Sequence, residues 1–156
     1  MIRPVLLYPD PLLLRRCDSV GPAEAGRVVG DLLDTMQALP RCVGLAAPQI
    51  GEPVRVAVVD CSRHPAAAAH NGLLVLVNPR ILEAAGREVG REGCQSLPWY
   101  TVDVARARRV VVESEASGPA WCSGFEARAV QHELDHLDGV LILDRAAGAR
   151  AVHRRG

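Results

Sequence analysis

The chain has 156 residues, 49% of them hydrophobic and only 3% aromatic, which fits one domain whose core rests on Leu, Val, Ile and Ala. Its 18 cationic residues, all arginine, balance 18 acidic ones, which argues against a specific nucleic-acid or other polyanionic partner. Five cysteines without a CxxC pair speak against a secreted disulfide scaffold and for a reducing compartment. No run approaches the ~18 apolar residues of a membrane span, and Met1-Ile2-Arg3-Pro4 lacks a signal-peptide layout. A soluble, cytoplasmic protein with no membrane partner is expected.

Tyr8-Pro9-Asp10-Pro11 followed by three leucines predicts a turn leading into a short helix or extended arm. From Ala23 to Leu39, apolar residues at Val28, Val29, Leu32, Leu33, Met36 and Leu39 have the spacing of an amphipathic helix, which Pro40 ends. Val54 to Val59 is rich in β-branched residues and reads as a strand. His64 to Gly72, with its four alanines in a row, reads as an exposed loop. Leu73 to Val77 reads as a buried strand stopped by Asn78-Pro79, and shorter strands are expected around 80–90, 99–104 and 108–114. Ser114 to Pro119 is a polar hairpin turn. A second helix is expected from about Phe125 to Leu137, with Gly139 as its C-terminal glycine. Strands between two separated helices, without a repeat or linker, predict one α+β domain over 1–156.

The second helix carries His132-Glu133-Leu134-Asp135-His136. At ~100° per residue, His132 and His136 lie about 40° apart, one turn apart on one face. Two imidazoles so placed converge on one ion, and Glu133 sits within reach of a water held there. Ala129, Val130, Glu133 and Leu137 fall on or beside that face, whereas Gln131, Asp135 and Asp138 fall opposite, so the histidine face is expected to point inward. The competing reading is two surface histidines on a charged helix. A third ligand is left open by the spacing: the cysteines, Asp144, His153 and distant carboxylates are all candidates, although His153 lies in an expected frayed tail. A lone Cys is ordinarily a small buried hydrophobe, and composition does not separate Cys94 from Cys17, Cys61 and Cys122.

Three separated motifs occur in order: Val43-Gly44-Leu45-Ala46-Ala47-Pro48-Gln49-Ile50-Gly51, Glu92-Gly93-Cys94-Gln95-Ser96, and Gln131-His132-Glu133-Leu134-Asp135-His136-Leu137. With weaker similarity at Pro4–Pro11, Asn78-Pro79, Gly139–Leu141 and Asp144-Arg145, the chain resembles the peptide deformylases over nearly its whole length. The resemblance implies small antiparallel or mixed sheets around a central HExxH helix. It implies a Cys94, His132, His136 metal site, with Fe2+ in cells and Zn2+, Ni2+ or Co2+ as replacements. It implies removal of the N-formyl group from formyl-methionyl peptides of nascent proteins, with Glu133 moving the proton. It further implies that the Gln49 side-chain amide and the Gln95 backbone N–H donate to the oxyanion. Gly44 would let the substrate approach and pair with the backbone, and Val43, Leu45, Phe125 and Ala129 are candidates for the methionine pocket. For Gln49 taken alone, a loop-capping role is the plainer reading. An ion pair between Glu92 and Arg106 is weighed evenly against two solvated charges.

Four positions depart from the family pattern. Cys42 stands where the first motif usually has glycine, which would narrow the groove or add an oxidisable thiol. Gln95 replaces a common leucine. Trp99 and Tyr100, in Pro98-Trp99-Tyr100-Thr101, would wall the substrate entrance or cover a sheet edge. Only a short tail follows Arg145, so a transient ribosome contact through a basic C-terminal helix is not expected. The departures keep two alternatives open: a deformylase for another formylated small molecule or amide, and a catalytically silent metal-binding or ribosome-associated homologue.

Overall fold

The computed structural model describes residues 1–156. It contains two α-helices, α1 (Pro22–Ala38) and α2 (Gly124–Leu137), and nine strands in three antiparallel sheets. The strands are β1 (Gly44–Ala46), β2 (Val56–Asp60), β3 (Leu73–Val77), β4 (Arg80–Ala85), β5 (Glu88–Cys94), β6 (Leu97–Arg106), β7 (Arg109–Ser114), β8 (Gly118–Ser123) and β9 (Val152–Arg154). Their orders are β1-β2-β3, β4-β7-β8 and β5-β6-β9. No sheet is mixed; the one parallel pairing is an isolated bridge from Asp18 to Val54.

Helix α1 forms because Ala25, Val28, Leu32 and Met36 recur at helical spacing and bury one stripe. Pro22 presets its first turn, and Leu39 is extended because it precedes Pro40. The buried stripe lies on β2 and β1. Strand β2 explains the packing of the whole centre. Its Val56 and Val58 face α1 with Leu45 and Ile50, whereas Ala57 and Val59 face α2 with Ala127, Val130, Leu134 and Leu137. A strand covered on both faces needs no polar alternation, hence its unbroken apolar run. Each of its fully buried valines stabilises the fold by roughly 1.5–3 kcal/mol relative to exposure.

The same alternation runs through β1. Gly44 and Ala46 face α2, and Leu45 between them points to α1. Strand β1 pairs only with β2 and leaves its other edge unpaired by any strand.

Helix α2 is buried almost all round, including Glu126, Glu133, Asp135 and His136. The expectation that Asp135 lies on a face away from the packed interior is therefore corrected. Arg106 Nη1 and Arg145 Nε and Nη2 donate to its carboxylate at 2.7, 3.1 and 3.0 Å, and Gln131 binds both backbone groups of Ala107. Charge on a helix face does not mean water when another element supplies the opposite charge. The helix ends at Gly139, whose φ of +74° suits glycine and whose Cβ, if present, would lie 2.8 Å from the Leu14 and Arg15 carbonyl carbons. The Leu137 carbonyl there accepts from the Cys17 N–H and Arg55 Nη1.

The expected frayed tail is also corrected. Residues 152–154 form β9 on the edge of β6, and His153 Nε2 lies 2.8 Å from Asp103 Oδ2. Strands β1 and β8 were not expected. The former is too short to show a period, and the latter begins in Gly118-Pro119.

Candidate metal centre

Helix α2 and the β5–β6 hairpin build the site together. Cys94 ends β5, and Gln95 and Ser96 form the two-residue turn before Leu97, which pairs with Cys94. The Cys94 Sγ and one ring nitrogen of each of His132 and His136 lie within 4.8 Å of one another. Sγ is 3.4 Å from His136 Nε2. His132 turns Nδ1 to Glu92 Oε1 at 2.9 Å, so Nδ1–H donates to the carboxylate and Nε2 is the ring nitrogen left to face the cluster.

Glu92 is held in turn. Arg106 donates through Nε and Nη2 at 2.7 and 2.9 Å, and Arg128 through Nη1 at 2.8 Å. Burial alone would raise its pKa, but the His132 and Arg106 hydrogen bonds outweigh that and bring it down to about 2. A continuous chain therefore runs from His132 through its hydrogen bond to Glu92 and then through ion pairs to Arg106, Asp135 and Arg145.

Cys94 differs from the other thiols. Burial opposes its ionisation, but the adjacent His136 and His132 rings hold its pKa well below the ordinary range. Cys17, Cys61 and Cys122 are buried with raised pKa values, in each case mainly through burial. Cys42 stands beside the groove and donates to the Gly44 carbonyl at 3.2 Å. Burial first, then the negative charge of Glu133, pushes its thiol up to about 12. A thiol so placed is less readily oxidised, because oxidation proceeds through the thiolate.

Glu133 lies against Gly44: a Cβ added at Gly44 would stand 2.7 Å from Oε1. Its Oε2 is buried with no hydrogen-bond partner. Burial raises its pKa, with His132 and His136 pulling it back. Gln49 is fully buried: Oε1 accepts the Ala46 N–H at 3.0 Å, and Nε2 donates to Ser96 Oγ at 3.1 Å and points at Cys94 Sγ from 3.7 Å. The capping and the site-facing roles thus coincide, since binding Ala46 through Oε1 turns Nε2 toward Cys94. The Gln95 N–H has no hydrogen-bond partner within the chain.

The cluster opens into a cavity of about 810 Å3. Val43, Gly44, Phe125 and Ala129 line it, and so do Gln49, Gln95, Cys94, His132 and Glu133. Leu45 does not: its side chain is fully buried among Val28, Leu32 and Val58 on the α1 side. Sequence order placed it beside Gly44, but strand alternation turns it away. Trp99 and Tyr100 also lie outside the cavity lining; both are exposed on β6, the central strand of its sheet, so neither walls the cavity nor covers an edge. His64 was missed. It stacks on Phe125 with ring centroids 4.0 Å apart and planes within 8°, and nothing in its alanine-rich loop signals this. Ser96, Arg128 and Arg155 were likewise not singled out, although Ser96 belongs to the second motif.

The donor set fits a divalent metal. One thiol of depressed pKa and two imidazoles converge, and the supporting carboxylate sits behind His132 as it does in sites with three protein ligands.

The model of the polypeptide deformylase family matches residues 2–151. The chain belongs to the peptide deformylase family. The peptide deformylase of Dictyoglomus thermophilum is 40% identical, with 94% of each chain covered. Peptide deformylase 2 of Streptomyces avermitilis is 43% identical over 99% of this chain and 83% of its own. Among solved structures, the Thermotoga maritima peptide deformylase is similar with a TM-score of 0.81 at 33% identity, covering 95% of this chain and 99% of that one. A Met-Ala-Ser-bound class I type b peptide deformylase from Acinetobacter baumannii gives 0.82 at 33% identity, covering 93% and 98%. The family's enzymes hydrolyse the N-formyl group of nascent peptides, and the α+β fold with small antiparallel sheets is theirs. No helix of the chain is long and apolar enough to cross a membrane.

Proposed function

We propose that this chain removes the formyl group from formyl-methionyl peptides at the Cys94, His132, His136 cluster, with a ferrous ion in the cell and Zn2+, Ni2+ or Co2+ as replacements. When bound, the ion supplies Lewis acidity and lowers the pKa of a coordinated water. The carrying observation is the convergence of three ligand atoms within 4.8 Å beside a buried, unpartnered Glu133 carboxylate oxygen.

Each remaining step belongs to the chain. The open edge of β1 offers Gly44 backbone groups to an extended peptide, which adds as a further strand. The methionine side chain enters between Val43, Phe125 and Ala129. Gln49 Nε2 and the Gln95 N–H donate to the oxygen of the formyl carbonyl as it gains negative charge. Glu133 takes the proton from the attacking water and hands it to the leaving amine. Burial raises its pKa, which makes it a better proton acceptor than a solvated carboxylate. Glu92 fixes the His132 tautomer, and Arg106 and Arg128 keep Glu92 charged.

The reaction is proposed to run in the cytoplasm on newly made chains. Residues 152–154 are paired with β6 as β9, so a transient ribosome contact would not use them as a helix. Neither alternative substrate nor silence is favoured, because Cys42 keeps its thiol on Gly44 and all proposed catalytic groups face one cavity.

Glu133→Ala separates this reading from a silent metal-binding homologue. Turnover of formyl-Met-Ala-Ser is expected to fall by roughly 10²–10⁴-fold with metal content unchanged. Unchanged turnover would contradict it.

A further inference from the structure

Four arginines line the cavity: Arg41, Arg91, Arg128 and Arg155. Two of them are committed elsewhere. Arg128 donates to Glu92 and to the Val104 and Glu88 carbonyls. Arg91 sits in a cluster with Asp103 and His153. Arg41 and Arg155 are exposed, and neither has a carboxylate within 4.0 Å or a side-chain hydrogen bond. The only carboxylates in the lining are Glu92, saturated by Arg106, Arg128 and His132, and Glu133 beside the ligands. The rim therefore carries two uncompensated positive charges.

Arg155 is not a loose end residue. The β9 register pairs Thr101 with His153 and Tyr100 with Arg154, and the Arg155 N–H donates to the Trp99 carbonyl at 2.8 Å. The side chain then lies over Gly93, the residue before Cys94. The Arg155 Nη2 lies against the side of Gly93 where a Cβ would project. Arg41 lines the same cavity, two residues ahead of Val43 and three ahead of the first residue of β1. Both guanidiniums therefore belong to the wall of the cavity that would receive a peptide added along the β1 edge.

We infer that Arg41 and Arg155 make this site select formyl-methionyl peptides with acidic side chains directly after the methionine. The inference rests on the deformylase reading. A side-chain carboxylate at the second or third residue meets a guanidinium at the cavity mouth, whereas a lysine there meets repulsion. The attraction is a screened rim contact, so its effect is modest and depends on salt.

The test measures kcat/KM on three C-terminally amidated peptides: formyl-Met-Ala-Ser, formyl-Met-Glu-Glu and formyl-Met-Lys-Lys. Amidation removes the terminal carboxylate as a competing anion. The metal-loaded enzyme is expected to prefer Glu-Glu over Lys-Lys by about fivefold or more at low salt, with the ratio shrinking toward one in 0.5 M salt. Arg155→Glu and, separately, Arg41→Glu are expected to cut or invert the ratio, and Arg155→Lys to keep it. Metal content and thermal melting of each variant check folding. A ratio near one in the unmodified enzyme, with Ala-Ser turned over, would overturn the inference and leave the deformylase reading intact. So would a ratio unmoved by both charge reversals. Failure to turn over any of the three peptides would overturn the underlying reading instead.

Discussion

Replacing Gly44 with alanine tests whether the catalytic geometry is set by contact between β1 and Glu133. The new Cβ would stand 2.7 Å from Glu133 Oε1, 3.0 Å from Cγ and 3.1 Å from Cδ. Ordinary contact begins near 3.4 Å, so the carboxylate must retreat by about 3.4 − 2.7 = 0.7 Å. Glu133 is only 5% exposed, and the close contacts at Cγ and Cδ mean the whole side chain shifts, not just its tip. A displacement on this scale costs a reacting group about 100-fold. Gly44 has no left-handed φ, so the backbone tolerates alanine and the fold should survive. Steady-state kinetics on formyl-Met-Ala-Ser, with metal content measured on the same sample, is the assay. The expected result is a fall in kcat of about 100-fold with one metal retained per chain. Unchanged kcat would refute the claim that Glu133 is held in working position by this contact.

Other substitutions separate support from packing. Glu92→Ala removes one of the two carboxylates that pair with Arg106, which is 4% exposed at its side chain, and leaves its buried Nε and Nη2 without a partner while Asp135 still holds Nη1. Thermal or denaturant melts should show a loss of roughly 3–5 kcal/mol, and metal titration a roughly 10–100-fold weaker affinity from the freed His132. Leu45→Ala should cost roughly 2–5 kcal/mol of stability without changing the preference for methionine over other formylated residues; a changed preference would put Leu45 back in the pocket. Burial and the Glu133 charge push the Cys42 thiol up to about 12, so Cys42 should resist alkylation at neutral pH, as followed by peptide mass mapping; rapid labelling there would contradict its buried, hydrogen-bonded placement.

Regular periodicity made α1, α2, β2 and β3 readable, because each buries a stripe or a face over several residues. Short or polar elements were not readable. Strand β9 carries only three residues and owes its existence to the free edge of β6, a tertiary fact that no local pattern encodes. Asp135 shows the same limit: at ~100° per residue it lies beside the histidine face rather than opposite it, and no local pattern says that Arg106 and Arg145 cover it. At the site, His132, Glu133 and His136 followed from one turn of helix. Cys94 did not, since its side chain is chemically the same as those of Cys61 and Cys122, and only motif resemblance singled it out before the structure set it beside the histidines. Leu45 was misassigned because the three residues of β1 were read as a motif, without the strand's alternation. Arg155 was overlooked as tail, yet its place above Gly93 depends on β9.

The central claim is that formyl-peptide hydrolysis depends on one metal held by Cys94, His132 and His136. Anaerobic titration of the metal-stripped chain with Fe2+ or Ni2+, following release of free amine from formyl-Met-Ala-Ser, tests it directly. Activity should rise from zero and level off at one equivalent of metal per chain. Turnover in the stripped protein, or none with the site fully loaded, would contradict the account.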